Sequence, residues 1–255
     1  MSININNTVH VPAISVGLDS QYPFAMVSGK VLSKTNSKVN VQINLNGGFC
    51  KDISLSLARK KLGILIIQIG DMETEETLLN PLRKSILQFT RLLLSDDYIR
   101  CISVRTLEEF KFFWEKEQAL MSHIVLIGHG SANSIRFGGN DINVKEIKKI
   151  MSGTTVDEAK QIISLCCKTG GAWFGKVISG QLFSEIFIGP SGSVHAANAS
   201  QFYQSYMTYN LLSGYNTEVA YDYARVSNPG VSEFNLWRKT KLHKKRSKQK
   251  VFGSR

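Results

Sequence analysis

Four short apolar runs limit what this chain can become. They read LGILIIQIG at 62–70, IRCISVR at 99–105, HIVLIG at 123–128 and QIISLCC at 161–167. The first is nearly continuous and rich in β-branched residues, as in a strand covered on both faces. Stretches of helical spacing lie between them. In 73–94, Leu78, Leu82, Ile86, Phe89 and Leu93 recur at helical intervals behind an acidic first turn, which suits a helix N-terminus. Residues 106–118 read as a second helix, with Thr106 as N-cap and Glu109 completing a capping box. Further helices are expected at 143–153, 172–186, 199–213 and 216–226, and a strand within 186–197. Strands alternating with helices imply βαβ units. The predicted fold class is therefore α/β, a mostly parallel sheet with helices on both faces.

Residues 1–57 follow a different pattern. In VNVQINL, Val39, Val41, Ile43 and Leu45 alternate with polar residues, the period of a half-buried strand. Two to four antiparallel strands are expected, as a small β appendage or an extension of the main sheet. The boundaries that follow are an N-terminal β-rich segment at 1–57, an α/β domain at 58–228 and a basic tail at 229–255.

The bulk numbers narrow the class. A chain of 255 residues buries a sizeable core, and 43% apolar with 20% charged residues is ordinary for a soluble globular protein. No apolar run approaches the roughly 20 residues of a membrane-spanning helix. MSININNTVH has neither a basic n-region nor an apolar h-region, so no secretory signal is expected. Four cysteines are too few for a disulfide scaffold, and two of them are adjacent, so a cytoplasmic location is expected. The net charge of +11 is local. From Phe234 onward there are nine Lys and Arg and no acid, while the remainder carries 22 basic and 20 acidic residues. The tail reads as a solvated terminus, or as a contact for a polyanion or acidic partner.

Open α/β sheets carry their chemistry at the carboxyl ends of the strands. His129 sits just past the third strand, between Gly128 and Gly130, and Cys166 and Cys167 end the fourth. Taken singly, a cysteine in an apolar strand is usually core filler, and a histidine beside glycines is often a turn residue. Together, at two strand ends, they suit nucleophilic catalysis: a thiolate attacks and a histidine manages the protons. Gly130 has no side chain, so its N–H is a candidate oxyanion donor together with that of the cysteine. Period-two alternation lets only one of the two thiols face His129. KTGG after the cysteines predicts a sharp glycine-made turn into the next helix.

HIVLIGHGS, followed by IISLCCKTGGAWFGKVISGQL, resembles the caspase-like cysteine peptidases and is most similar to their CHAT branch (caspase-like and separase-like). The downstream segment SQFYQSYMTYNLLSGYNTEVAYDYAR is similar too, and the likeness covers about 60–226. The resemblance implies His129 as catalytic histidine, Gly130 as oxyanion-hole glycine and Cys167 as nucleophile, since Lys168, Thr169 and Gly170 follow it. Cys166 then stands where the family usually has Ala. The implied activity is that of a cysteine endopeptidase without cofactor or metal, cutting a protein substrate. The resemblance further implies an activating protein partner and a role in antiviral defence or cell death. Asp71, at the end of QIGD, is the candidate substrate-binding residue for a basic side chain, or else a cap for the helix starting near Glu73. His195 is a weaker candidate contributor. The other reading is a non-catalytic caspase-like module that binds a partner and is anchored by the basic tail.

Overall fold

The computed structural model describes residues 3–18, 22–45, 47–155, 158–227 and 233–245. Four antiparallel strands come first: β1 (Thr8–Pro12), β2 (Met26–Lys34), β3 (Lys38–Ile43) and β4 (Phe49–Ser54), paired in that order. The alternating valines close their own core, with Val9, Val11, Val31, Val39, Val41 and Ile43 all buried. The sheet is tied to the rest by reciprocal backbone bonds between His10 and Arg59 and by Ala25 N–H donating to Leu93 O.

The central sheet has seven strands. Its elements in chain order are β5 (Gly63–Ile69), α1 (Asn80–Leu93), β6 (Ile99–Val104), α2 (Leu107–Glu117) and β7 (Met121–Ile127). A hairpin of β8 (Ser134–Phe137) and β9 (Asn140–Asn143) follows, then α3 (Val144–Ser152), β10 (Lys160–Ser164), α4 (Ala172–Ser179) and β11 (Ser184–Pro190). The chain continues through α5 (Ala196–Met207), α6 (Thr217–Ser227), β12 (Phe234–Arg238) and β13 (Lys241–Leu242). The order across the sheet is β13-β12-β11-β10-β7-β5-β6. Strands β6, β5, β7, β10 and β11 are mutually parallel, and β12 and β13 run antiparallel. The chain starts in the middle with β5, goes to one edge with β6, then returns to build the other side from β7. The reversal places a crevice at the carboxyl ends of β5 and β7.

Period two sorts the strand residues into two cores. Ile64, Ile66, Val125, Ile127 and Ile163 face α1, α5 and α6, while Leu65, Ile67, Ile124, Leu126 and Ile162 face α2, α3 and α4. All ten are essentially inaccessible. Each such side chain contributes about 1.5–3 kcal/mol by leaving water. The fold is thus the α/β arrangement that the strand and helix patterns predict, with helices on both faces and a small antiparallel N-terminal sheet. No helix among the described residues is long and apolar enough to cross a membrane.

Three local expectations are corrected. The helix expected at 73–94 begins with an irregular wide turn at Glu75–Leu79, and its regular part starts only at Asn80, with Pro81 in the first turn where its missing N–H costs nothing. The helix expected at 172–186 stops at Ser179, because Gly180 ends it and Phe183 is drawn into the core beside Trp114. The stretch assigned to the basic tail contains a core strand. Phe234, Leu236 and Trp237 are buried, and Trp237 Nε1 donates to Gly170 O at 2.9 Å. Arg238 pairs with Glu185 and Glu218 at 3.2 and 3.1 Å. Charge density masked three apolar side chains in five residues. Of the tail, residues 229–232 and 246–255 lie outside the described residues.

Candidate active site

The turn after β5 is built by Asp71. Its carboxylate accepts from the Glu73 N–H at 2.9 Å, the Thr74 N–H at 2.6 Å and the Thr74 hydroxyl at 3.1 Å. Burial alone would raise the Asp71 pKa. The bonds from Thr74 and Glu73, with His129 nearby, outweigh it and hold the group below the usual carboxylate range. His129 follows the paired strand β7. Its Nε2 lies 2.6 Å from Thr74 Oγ1 and 3.1 Å from Asp71 Oδ2. The Thr74 hydroxyl has one proton, and both Asp71 oxygens are placed to take it. The network therefore assigns the proton on Nε2 to the histidine as donor, and Nδ1 becomes the basic nitrogen. Nδ1 has no hydrogen-bond partner among the described residues.

The next strand in the sheet, β10, delivers the cysteines. Cys166 is fully buried in the core shared by Leu126 and Phe174, and its Sγ points to Leu126 O at 3.8 Å. Burial first of all pushes this thiol up to about 12, which leaves it protonated and inert. Cys167 is half-buried, with Sγ beside Val194: the Val194 N–H approaches it at 3.4 Å and Val194 O lies at 3.7 Å. Thr169 braces the turn: its hydroxyl donates to Cys166 O and can accept from the Ser164 hydroxyl, each at 2.8 Å.

Gly130 lies against this turn. A Cβ there would sit 2.7 Å from Cys167 O and 2.8 Å from Cys166 Cβ, so no other residue fits without moving the cysteine segment. Neither the Gly130 N–H nor the Cys167 N–H has an acceptor among the described residues. Folded chains rarely leave such groups unpaired in partly buried positions.

The structure thus brings His129, Gly130, Cys167 and Asp71 to one edge of the sheet. Asp71 is 4% exposed, with its oxygens committed to its own turn and to His129. That is the bond set of a cap and of a histidine partner. His195 caps α5, its Nδ1 accepting the Ala197 N–H at 3.2 Å. The turn into α4 is made differently from the glycine-based expectation. Lys168 takes the left-handed conformation at φ 64°, whereas Gly170 is needed because a Cβ there would meet the backbone of Gly189 at 1.9 Å. Sequence reasoning missed Thr74, whose partner His129 is 55 residues away. The spacing of Asp71 and Thr74 is the signal of a side-chain-capped turn, but nothing in it points to a histidine.

No protein-family model matches the chain, and no curated protein matches it in sequence. Among solved structures, it is similar to the X-ray structure of a secreted C11 cysteine protease from Bacteroides thetaiotaomicron in complex with an irreversible peptide inhibitor. The two share 8% identity and a TM-score of 0.47, over 71% of this chain and 67% of the other.

Proposed function

We propose that the chain is a caspase-like cysteine endopeptidase acting through Cys167 and His129. One observation carries the reading: Gly130 packs against the half-buried Cys167 turn, and the residue before it, His129, has its Nε2 engaged by a carboxylate. Nδ1 of His129 takes the thiol proton, and the Cys167 thiolate attacks a peptide carbonyl. The N–H groups of Gly130 and Cys167 hold the resulting oxyanion, a type of contact worth about 10²–10³-fold per donor. The imidazolium then protonates the leaving amine. Water, deprotonated by the same nitrogen, hydrolyses the thioester and returns both groups to their starting state. Asp71 and Thr74 keep the ring oriented and stabilise its charged form.

The rest of the reading extends this centre. The Val194 backbone holds the Cys167 thiol, so a protein partner that moves the 191–195 loop would release it. Such partner activation suits an effector in antiviral defence or cell death. All four cysteines are free, which suits a reducing cytoplasm. Lys241, Lys244 and Lys245, with the basic residues that follow, provide a polyanion contact. The test is covalent trapping. A peptide-based electrophile with Lys, Arg, Asp or an apolar residue at the acyl position is incubated with the full chain, and the adduct is mapped by mass spectrometry. Labelling at Cys167 that disappears in His129→Ala supports the enzyme. No labelling by any of the peptides, with the fold intact and the proposed partner protein bound, sinks it in favour of a non-catalytic binding module.

A further inference from the structure

The amino edge of the central sheet carries a second concave site, at the other ends of the strands that bear His129 and Cys167. A cleft of about 310 Å³ opens there. Arg59 lines it where the chain leaves the N-terminal sheet. Ser122 and Gln161 contribute from the starts of β7 and β10, and Asn210 and Asn216 from the turn between α5 and α6. That volume is in the range of pockets that hold small ligands.

The charges in the cleft are unequally matched. Arg238 bridges Glu185 and Glu218, so those three satisfy one another. Arg59 feels Glu185 through space but makes no direct bond to any of the three. Its Nη2 donates to Asn210 Oδ1 at 2.9 Å and approaches Asn210 O at 3.5 Å, and its Nη1 lies 3.5 Å from His123 Nε2. All of these partners are neutral, and Arg59 forms no ion pair among the described residues. Glu158 also lines the cleft, but its Oε2 is buried without a partner and burial pushes its pKa up, so it is a poor counter-ion. Glu185 and Glu158 attract Arg59 through space, but its hydrogen bonds go only to neutral groups, so the fork of this half-buried guanidinium has no carboxylate bonded to it. Its planar fork matches a carboxylate or a phosphate better than any other group.

We propose that this cleft binds a small organic anion whose carboxylate or phosphate group seats on Arg59, joining the N-terminal sheet to the base of the central sheet. The site is separate from the peptidase centre and stands whether or not the chain cuts peptides. Binding to the full chain is followed by titration calorimetry and by thermal unfolding, with inorganic phosphate, adenosine monophosphate and citrate as separate probes. At least one probe binds with one site per chain and raises the Tm with concentration. The phosphate arms against the citrate arm identify the headgroup. Arg59→Gln is expected to weaken that binding at least tenfold. Asn216 caps α6 by accepting the Val219 N–H, and Asp retains that cap. Asn216→Asp therefore keeps the fold, adds a negative charge to the cleft and should weaken binding several-fold, which decides the matter even where Arg59→Gln does not fold. Absence of binding by all three probes overturns the proposal. So does unchanged affinity in folded Arg59→Gln or in Asn216→Asp, which would put the anion on the basic C-terminal residues instead.

Discussion

Strand β7 holds one histidine near its start and is followed by another two residues past its end, and the two have opposite characters. His123 is 0% exposed and faces Ser122, Asn210 and the Arg59 guanidinium. Burial, with Arg59 adding to it, pushes its pKa down to about 3, so it is a neutral structural group. His129 has a side chain 34% exposed and an anionic partner in Asp71. Only the second has a carboxylate beside its ring and an edge open to solvent. The comparison teaches that the carboxyl edge of the sheet pairs its histidine with a carboxylate at a half-exposed position, while the amino edge buries its histidine behind the Arg59 guanidinium, at the floor of a cleft.

The sharpest break of this comparison removes the reacting groups. Cys167→Ala or His129→Ala should lower peptide cleavage about 10⁴-fold or more with the melting curve unchanged. Cys166→Ala should keep most of the activity and cost about 1–2 kcal/mol of stability as a small cavity in the core. A fluorogenic peptide library read alongside calorimetric melts measures both. Loss of activity in Cys166→Ala but not in Cys167→Ala would reverse the assignment of the thiols.

Acid is expected to attack the other histidine. Below its unfolded pKa near 6.5 the unfolded chain protonates His123 and the folded chain does not, so stability falls as pH drops from about 6.5 towards 3. The full contribution is roughly 3–5 kcal/mol. Urea titrations across that window should show a flatter pH dependence in His123→Gln than in the parent protein. Equal slopes would mean that His123 is protonated while folded.

Next in size is Asp71→Asn. Asn keeps an acceptor for the Glu73 and Thr74 N–H groups but loses the charge opposite His129. A drop in kcat of about 10–100-fold, with little change in KM or in preference at the cleaved position, is expected of a positioning residue. A raised KM confined to Lys and Arg substrates would instead make Asp71 the substrate-binding carboxylate. The smallest effect is expected from Thr74→Val, which removes one contact to Nε2 and leaves Asp71 in place. About a 3–10-fold loss of kcat, about 1 kcal/mol, is the scale of a single neutral hydrogen bond. An unchanged kcat in Thr74→Val would show that Asp71 alone orients the ring.

Much of this was legible from local pattern. The apolar run of β5 marked a strand buried on both faces, and the alternation of Val39, Val41 and Ile43 marked the N-terminal sheet, because burial on one or two faces writes a period directly into the chain. The capping box of Thr106 and Glu109 was readable for the same reason: all its atoms lie within one turn, and the structure forms both of its bonds. The glycines flanking His129 and the cysteine pair indicated two strand ends, and both lie at the carboxyl edge of the sheet. What only the tertiary structure decided depends on contacts between distant segments. The Thr74–His129 bond, the closure of Gly170 on Gly189 and the burial of Cys166 under the Gly130 loop leave no periodic trace, because each needs two turns to be brought together by strands elsewhere in the sheet. Strand β12 was hidden for another reason. Its Phe234, Leu236 and Trp237 stand beside a run of lysines, and charge averaged over the tail outweighed three side chains whose burial is settled by the free edge of β11 and the ring-sized gap over Gly175.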